Sequence, residues 1–206
     1  MHLNLNTSSI IPYNFTIYNL QKIILLPLLA FLSLTVKAQI KDTVGLNLPI
    51  VDGKILYEGI VDIPDKTKND LYQNAQQWFV DYFKSSKDVI QNQDKDNGIV
   101  VGKGMLDFNA RVGLGMSMVQ HDKLTIKIVC KDNKYKYSVY DMILYPPEGN
   151  EKYSTPFDNL YGKLIGTVKI GGSKSAVKDI LKKNDIEVRK MIESIKLAMV
   201  KKSDNF

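Results

Sequence analysis

Alternating apolar and polar positions mark the first element of the chain. Between residues 54 and 63, apolar side chains recur at every second position on one side: Ile55, Tyr57, Val61 and Ile63. A period of two is typical of a strand with one buried face. Pro64 ends this strand because proline has no amide to donate to a sheet. Residues 39–53 contain glycines and a proline but few periodic apolar positions, so they predict a tether ahead of the fold.

A helical pattern follows the first strand. Thr67 and Asp70 fit a capping box, in which a hydroxyl and a carboxylate satisfy free backbone amides at a helix start. Apolar and aromatic residues, Trp78 among them, then recur every three or four positions. This spacing predicts a helix over about residues 68–84 with one aromatic stripe against a sheet.

Two glycine strings in the middle of the chain, at 102–104 and 113–115, look like phosphate-binding loops. Such a loop needs its glycines between a strand and a helix start, so that helix amides face the phosphates. Here Asn97-Gly98 predicts a tight turn with a strand on each side. The first string falls inside the second of these strands, with Gly102 and Gly104 on one face. We therefore expect these glycines to make room for a helix, and we do not predict a nucleotide site.

A second hairpin can be tested by its own register. If Asp132 and Asn133 are the turn, residues of like character meet: Cys130 with Tyr135, Ile128 with Tyr137, Ile126 with Val139, and Lys127 with Ser138. A slip of one residue would bring apolar side chains to the wrong face. The match predicts strands over residues 123–131 and 134–144.

The last third of the chain divides into an irregular and a regular part. Residues 145–173 hold three prolines and five glycines, and they predict an irregular crossing with a short helical turn near Asn159 and an extra strand at 164–170. Helical spacing then runs from Val177 to Met199, after a cap at Ser173 or Ser175. The predicted order in 54–206, taken as one domain, is β-α-β-β-β-β-α.

Three segments carry a resemblance to a known family: AQQWFVDYF around Trp78, DVIQNQDKDNGIVVGKG, and DNKYKYSVYDM. Together they resemble a secreted bacterial family of unknown function that has a TATA-binding-protein-like (TBP-like) fold. The resemblance covers residues 50–144 and the last helix, and the stretch 145–173 departs from it. It implies an α+β fold, a curved antiparallel sheet of about five strands with two helices packed on one face. It carries over no catalytic residue.

The first 38 residues predict export. They contain no acidic side chain, and Lys22 precedes an apolar run that ends in Val36-Lys37-Ala38. This is the order of a secretory signal peptide, with cleavage after Ala38. The run is shorter than the roughly 20 residues that span a bilayer, so we expect no transmembrane helix in the mature chain, although an uncleaved, anchored form stays open. The predicted location is the periplasm, the outer membrane or the exterior of a Gram-negative bacterium.

Composition narrows the chemistry. Lys22 and Lys37 lie in the predicted signal, which leaves 26 basic and 22 acidic residues and a net charge of +4 without a block of like charges. With export, this disfavours nucleic acid as a partner. His121 is the one histidine after the signal, and Cys130, the single cysteine, falls on an apolar face. Asp94 to Gly98 fits a turn better than a calcium loop. We predict no catalytic residue, metal or cofactor from these patterns.

The sheet face opposite the helices is the predicted contact surface. The strand periods place these residues on it: Glu58, Ile60, Val101, Lys103, Met105, Lys127, Val129, Lys136, Tyr140 and Met142. Apolar groups among lysines favour a non-enzymatic module that binds another protein or an envelope component, with contacts centred on six of them: Lys103, Met105, Lys127, Val129, Lys136 and Tyr140. Two alternatives remain: a small carboxylate-dependent hydrolase, and a face covered by the tether or by residues 145–173.

Overall fold

The fold is an antiparallel sheet with helices against one face. The computed structural model describes residues 42–84, 89–112, 116–145 and 151–201; the predicted signal, 1–38, lies outside them. The strands described are β1 (Ile50–Val51), β2 (Lys54–Ile55), β3 (Tyr57–Asp62), β4 (Ile90–Asp94), β5 (Ile99–Val112), β6 (Met116–Lys131), β7 (Lys134–Tyr145) and β8 (Thr155–Pro156). The helices are α1 (Lys68–Phe83), α2 (Phe157–Ile165) and α3 (Lys174–Met199), with a 3-10 turn at Glu151–Tyr153.

The strand order in the main sheet is β3-β7-β6-β5-β4, and β8 pairs with the far end of β7. Every pair is antiparallel. The predicted α+β class is therefore confirmed. In the described part of the chain the main sheet has six strands, where about five were expected, and three helices stand where two were expected.

The register predicted for the β6–β7 hairpin is confirmed. Cys130 pairs with Tyr135, Ile128 with Tyr137, Ile126 with Val139, and Lys127 with Ser138. The register then shifts between Lys123 and Thr125, opposite Asp141, whose φ is 51°. This bulge adds a residue to β7 and reverses its later alternation. The placement of Met142 on the open face was consequently wrong, since its side chain is buried in the core.

The α1 capping box is present as predicted. The Thr67 hydroxyl accepts a hydrogen bond from the Asp70 amide, and the Asp70 carboxylate accepts one from the Thr67 amide. A further cap comes from the β6–β7 turn, where Asp132 Oδ1 accepts the Lys68 amide at 2.7 Å. The start of α1 is thus fixed by its own sequence and by a turn far along the chain.

Gly102 and Gly104 lie in regular β5–β6 pairing, opposite Ile126 and Leu124. A Cβ added at Gly102 would lie 2.4 Å from Phe79 Cε1, and one at Gly104 would lie 2.2 Å from Phe83 Cε1. Both phenylalanines belong to α1, so the glycines make room for this helix as predicted. The second string, at 113–115, lies outside the described residues.

The turn of the β4–β5 hairpin differs in detail from the prediction. Asp94 pairs with Ile99, so four residues form the turn. Gly98 has a φ of +67°, whereas Asn97 is not among the residues with positive φ. Asp94 instead accepts hydrogen bonds from the amide and the side chain of Asn97, at 3.0 and 2.7 Å. The interpretation of this acidic segment as a turn is confirmed.

Helix α3 begins at Ser173, which accepts a hydrogen bond from the Ala176 amide. Its predicted stripe is buried: Val177, Ile180, Leu181, Asn184, Val188, Met191, Ile192, Ile195 and Met199. Trp78 of α1 donates to Ser194 of α3 at 2.9 Å. The two helices therefore contact each other as well as the sheet.

The irregular crossing contains the nine-residue helix α2, where the sequence predicted only a short helical turn near Asn159. Phe157, at the start of α2, is fully buried and lies 6.4 Å from the ring of Phe108 on the helix-covered side of β5. The extra strand predicted at 164–170 was wrong, because these residues are the end of α2, which stops at Gly166 in the left-handed region, and the loop after it. A short strand does occur in the crossing, but at β8.

The predicted first strand is divided in two. β1 and β2 form a small hairpin through Asp52 and Gly53, both with positive φ. β3 then joins the main sheet beside β7. Residues assigned to the tether also contact the fold: Leu46, Leu48 and Ile50 pack against the core, and Arg189 of α3 donates to the carbonyl of Asn47 at 2.7 Å.

Candidate functional site

The open face is the side of the main sheet that points away from the shared core of the helices and strands. Lys103 and Met105 of β5 alternate with the buried Gly102, Gly104 and Leu106, so their side chains point to this face. The β5–β6 pairing puts Lys127 opposite Val101 and Val129 opposite Ile99. The β6–β7 pairing puts Lys136 opposite Val129 and Tyr140 opposite Thr125. The structure therefore brings all six predicted contact residues to one surface.

Two of the apolar side chains on this surface are strongly exposed. Ile60 is 69% exposed and Met105 is 49% exposed. Lys136 forms an ion pair with Glu58 of the neighbouring β3 at 2.7 Å. The described parts of the tether and of the 145–173 crossing contribute buried side chains to the helix-side core. In the part of the chain that the structure describes, the face keeps its mixture of apolar and charged groups.

Two cavities flank a pair of lysines on the open face. The first, of about 410 Å³, lies at the β7 bulge and is lined by Lys103, Lys123, Thr125, Asp141, Tyr145 and Asp158, with four other residues. The second, of about 520 Å³, lies at the N-terminal end of β4 and is lined by Phe83, Val89, Gln91, Lys103, Gly104, Met105 and Lys123. Volumes of this size fall within the range of small-molecule sites. Lys123 lines both cavities but was absent from the residues predicted from the sequence.

The two lysines lie on adjacent strands. Lys103 pairs with Thr125, and Lys123 is two residues from Thr125 on β6, so the lysines are diagonal neighbours about 7–8 Å apart, within reach of long side chains. Lys123 lies 5.3 Å from the centre of the Tyr145 ring. Among the described residues, neither lysine has a carboxylate within 4 Å. Within the described part of the chain, no salt bridge therefore neutralises their charges.

His121 lies on the open face and is not simply solvent-facing. Its Nδ1 is 2.6 Å from Asp107 Oδ1, and the two residues are cross-strand partners. Such a pair can orient an imidazole, but no serine or cysteine of the described chain forms a hydrogen bond with His121. Sequence reasoning missed this pair because it depends on the β5–β6 register. We assign it no catalytic role.

The geometry gives little support to the alternative function, a small carboxylate-dependent hydrolase. Asp122 is fully buried, accepts hydrogen bonds from Asn184 and from the Ile143 amide, and burial raises its pKa to about 7. A carboxyl at this depth cannot meet a sugar. Asp141 and Asp158 line the first cavity, but Asp158 already accepts the Ile55 amide at 2.8 Å.

A second polar cluster serves the fold. Tyr57 donates to Asp185 at 2.7 Å, and Arg189 donates to the same carboxylate at 2.9 Å while lying 5.6 Å from the Tyr57 ring. Burial, then the hydrogen bond to Asp185, raises the pKa of Tyr57. Arg189 also binds the Asn47 carbonyl, so the cluster attaches the segment before β1 to α3.

Cys130 is fully buried, and burial raises the pKa of its thiol to about 12. It is the small apolar core residue that the sequence predicted. In the described part of the chain, no group of three or more His, Cys, Asp or Glu side chains could hold a metal ion.

The architecture defines a class: an α+β protein with an antiparallel sheet, helices on one face and a TBP-like fold. Residues 57–144 match the family model described as a domain of unknown function (DUF4468) with TBP-like fold, which confirms the family that the sequence resembles. No curated protein gives a match.

No helix among the described residues is long and apolar enough to cross a membrane.

Two crystal structures are similar to this chain. A TBP-like protein from Parabacteroides distasonis has a TM-score of 0.60 and 18% identity, and the alignment covers 74% of this chain and 96% of that chain. A DUF4468 family protein from Bacteroides ovatus has a TM-score of 0.60 and 15% identity, with coverage of 81% and 98%. At these identities the likeness concerns the fold.

Proposed function

We propose that this protein is an exported, non-enzymatic binding module that contacts a protein or a component of the bacterial envelope through its open sheet face. The observation that carries the proposal is the composition of that face. It combines strongly exposed apolar side chains, at Ile60 and Met105, with lysines from three strands. Apolar surface among charges is characteristic of contact sites, because its burial against a partner is favourable.

The helix side gives a useful contrast. On that side the apolar stripes of α1 and α3 are buried in the core, and the apolar side chains left exposed on the helices, such as Leu197, lie among charged residues. Lys182 and Lys183 lie exposed on the outer side of α3. A partner that recognises basic charge alone would bind there as readily as on the sheet, whereas a partner of the open face would not.

The test is a comparison of pull-downs from the native envelope. The variant Lys127→Glu with Lys136→Glu reverses two charges of the open face, and Lys182→Glu with Lys183→Glu is the matched control. We expect the first variant to lose at least one partner that the wild type and the control both retain. Equal recovery of all partners by the three proteins would contradict the proposal.

Nucleic acid is a separate outcome of the same design. Binding to phosphates weakens steeply as salt concentration rises. We expect no salt-dependent retention of the protein on immobilised DNA. Retention that the open-face variant loses and the control keeps would replace the proposed partner class with nucleic acid.

A further inference from the structure

We propose that the cavity between the end of β4 and the lysine pair binds a small amphipathic anion, with its anionic head between Lys103 and Lys123 and its apolar part against Met105, Phe83 and Val89. The inference rests on the proposed function, since it assigns a ligand class to the open face. Its first support is the position of the two lysines. They line both cavities of this region, and their spacing lets two long side chains meet at one head group.

The second support is charge. Lys136 and Lys174 each have a carboxylate within 4 Å, whereas Lys103 and Lys123 have none among the described residues. Lys127, on the other side of Thr125, is a further diagonal neighbour of Lys103. Lys103 thus has a lysine at each of its two diagonal positions on β6, and an anion that accepts charge-assisted hydrogen bonds there offsets the repulsion between like charges.

The third support is the character of the second cavity. Among the described residues that line it there is no carboxylate, and three of those seven residues are apolar: Phe83, Val89 and Met105. The first cavity, by contrast, includes Asp141 and Asp158. An anion is therefore favoured on the second side of the lysine pair. There, an apolar chain attached to the anion stabilises the complex further, because it buries Met105 and the Phe83 ring away from water.

The fold explains why this cavity exists. β4 pairs with β5 only as far as Gly102, so Lys103 and Met105 lie along an edge that no described strand covers. Gly104 has no side chain, and the Phe83 ring occupies the space that a Cβ would take. Phe83 on the helix side and Met105 on the open side therefore both border this uncovered edge of β5, beside the two lysines, an arrangement suited to a ligand with one charged end.

Isothermal titration calorimetry of the full chain with sodium decanoate tests the inference. We expect saturable binding that weakens at least tenfold in Lys103→Gln with Lys123→Gln and is unchanged in Lys182→Gln with Lys183→Gln. Acetate, which lacks the apolar chain, and decyltrimethylammonium, which reverses the charge, should each bind at least tenfold more weakly than decanoate. Thermal unfolding of every variant checks that the fold is retained, which we expect because none of the four lysines is buried.

Two results would overturn the inference. One is no binding of decanoate. The other is binding that is equally tight in the Lys103/Lys123 variant or with decyltrimethylammonium in place of decanoate. The source of the anion is tested with vesicles. Preferential binding to phosphatidylglycerol over phosphatidylcholine vesicles, if it is lost in the Lys103/Lys123 variant, would assign the anion to a lipid surface. If decanoate binds but the vesicles do not, the ligand is a free amphiphile. If decanoate fails while the Lys127/Lys136 pull-down still loses its partner, the proposed function stands and the ligand class is wrong.

Discussion

Gly102 is a residue at which the fold requires the absence of a side chain. Phe79 is fully buried directly above it, and an added methyl would lie 2.4 Å from the ring. A fully packed ring cannot move aside without displacing its neighbours. We expect Gly102→Ala to lower the free energy of unfolding by about 1–3 kcal/mol, measured by urea denaturation.

Gly171 is the matched control, since an added Cβ there meets nothing within 4 Å and its φ is not in the left-handed region. Gly171→Ala should change the free energy of unfolding by less than about 0.5 kcal/mol. If Gly102→Ala changes the free energy of unfolding as little as Gly171→Ala, the Phe79 ring of α1 is not packed against Gly102 as described.

The raised pKa of Asp122 predicts that the stability of the fold depends on pH. Its pKa of about 7 in the folded state lies above the ordinary value of 3.8, so the folded protein holds this proton more tightly than the unfolded chain does. The contribution to stability is therefore complete below about pH 4 and is lost as the pH rises towards 7. We expect Asp122→Asn, which cannot ionise, to become more stable relative to wild type between pH 4 and pH 8, by up to a few kcal/mol.

Urea unfolding of both proteins across that pH range provides the measurement. The comparison uses the change with pH, because the amide also alters the hydrogen bonds with Asn184 and the Ile143 amide. Asp62→Asn, on an exposed edge of the sheet, controls for a lost surface carboxylate and should follow wild type. A constant difference between wild type and Asp122→Asn would show that Asp122 does not titrate in this interval.

At the scale of elements, helix ends follow their own sequence while strand faces depend on pairing. The capping box of α1 and the cap at the start of α3 were predictable because the contacts join residues three positions apart. The bulge at Asp141 was not, because it arises where β7 leaves β3 and later pairs with β8. Strict alternation consequently misplaced Met142, although it placed the six proposed contact residues on the open face, where the register puts them.

The two serines before α3 give a test at this scale. Ser173 accepts the Ala176 amide, whereas Ser175 lies within the first turn. Ser173→Ala should cost about 1 kcal/mol of stability, and Ser175→Ala should cost much less. Thermal or urea unfolding of the two variants distinguishes them, and equal losses would place the cap elsewhere.

At the scale of the whole molecule, export is the property that the structure leaves as a prediction. Residues 1–38 have the composition of a cleaved signal. We expect mass spectrometry of the native protein to find Gln39 as its first residue. A native chain that retains residues 1–38 would contradict cleavage and favour the anchored form.

The sequence by itself determined the elements whose physics is local or repetitive. The caps of α1 and α3, the amphipathic stripes, the β6–β7 register and the purpose of Gly102 and Gly104 all follow from spacing along the chain. Tertiary structure alone decided which side of β7 Met142 takes, how Asp107 meets His121, and how Lys103 and Lys123 come to share two cavities. Each of these depends on where one strand ends beside another, a distance between residues far apart in sequence that no period along the chain encodes.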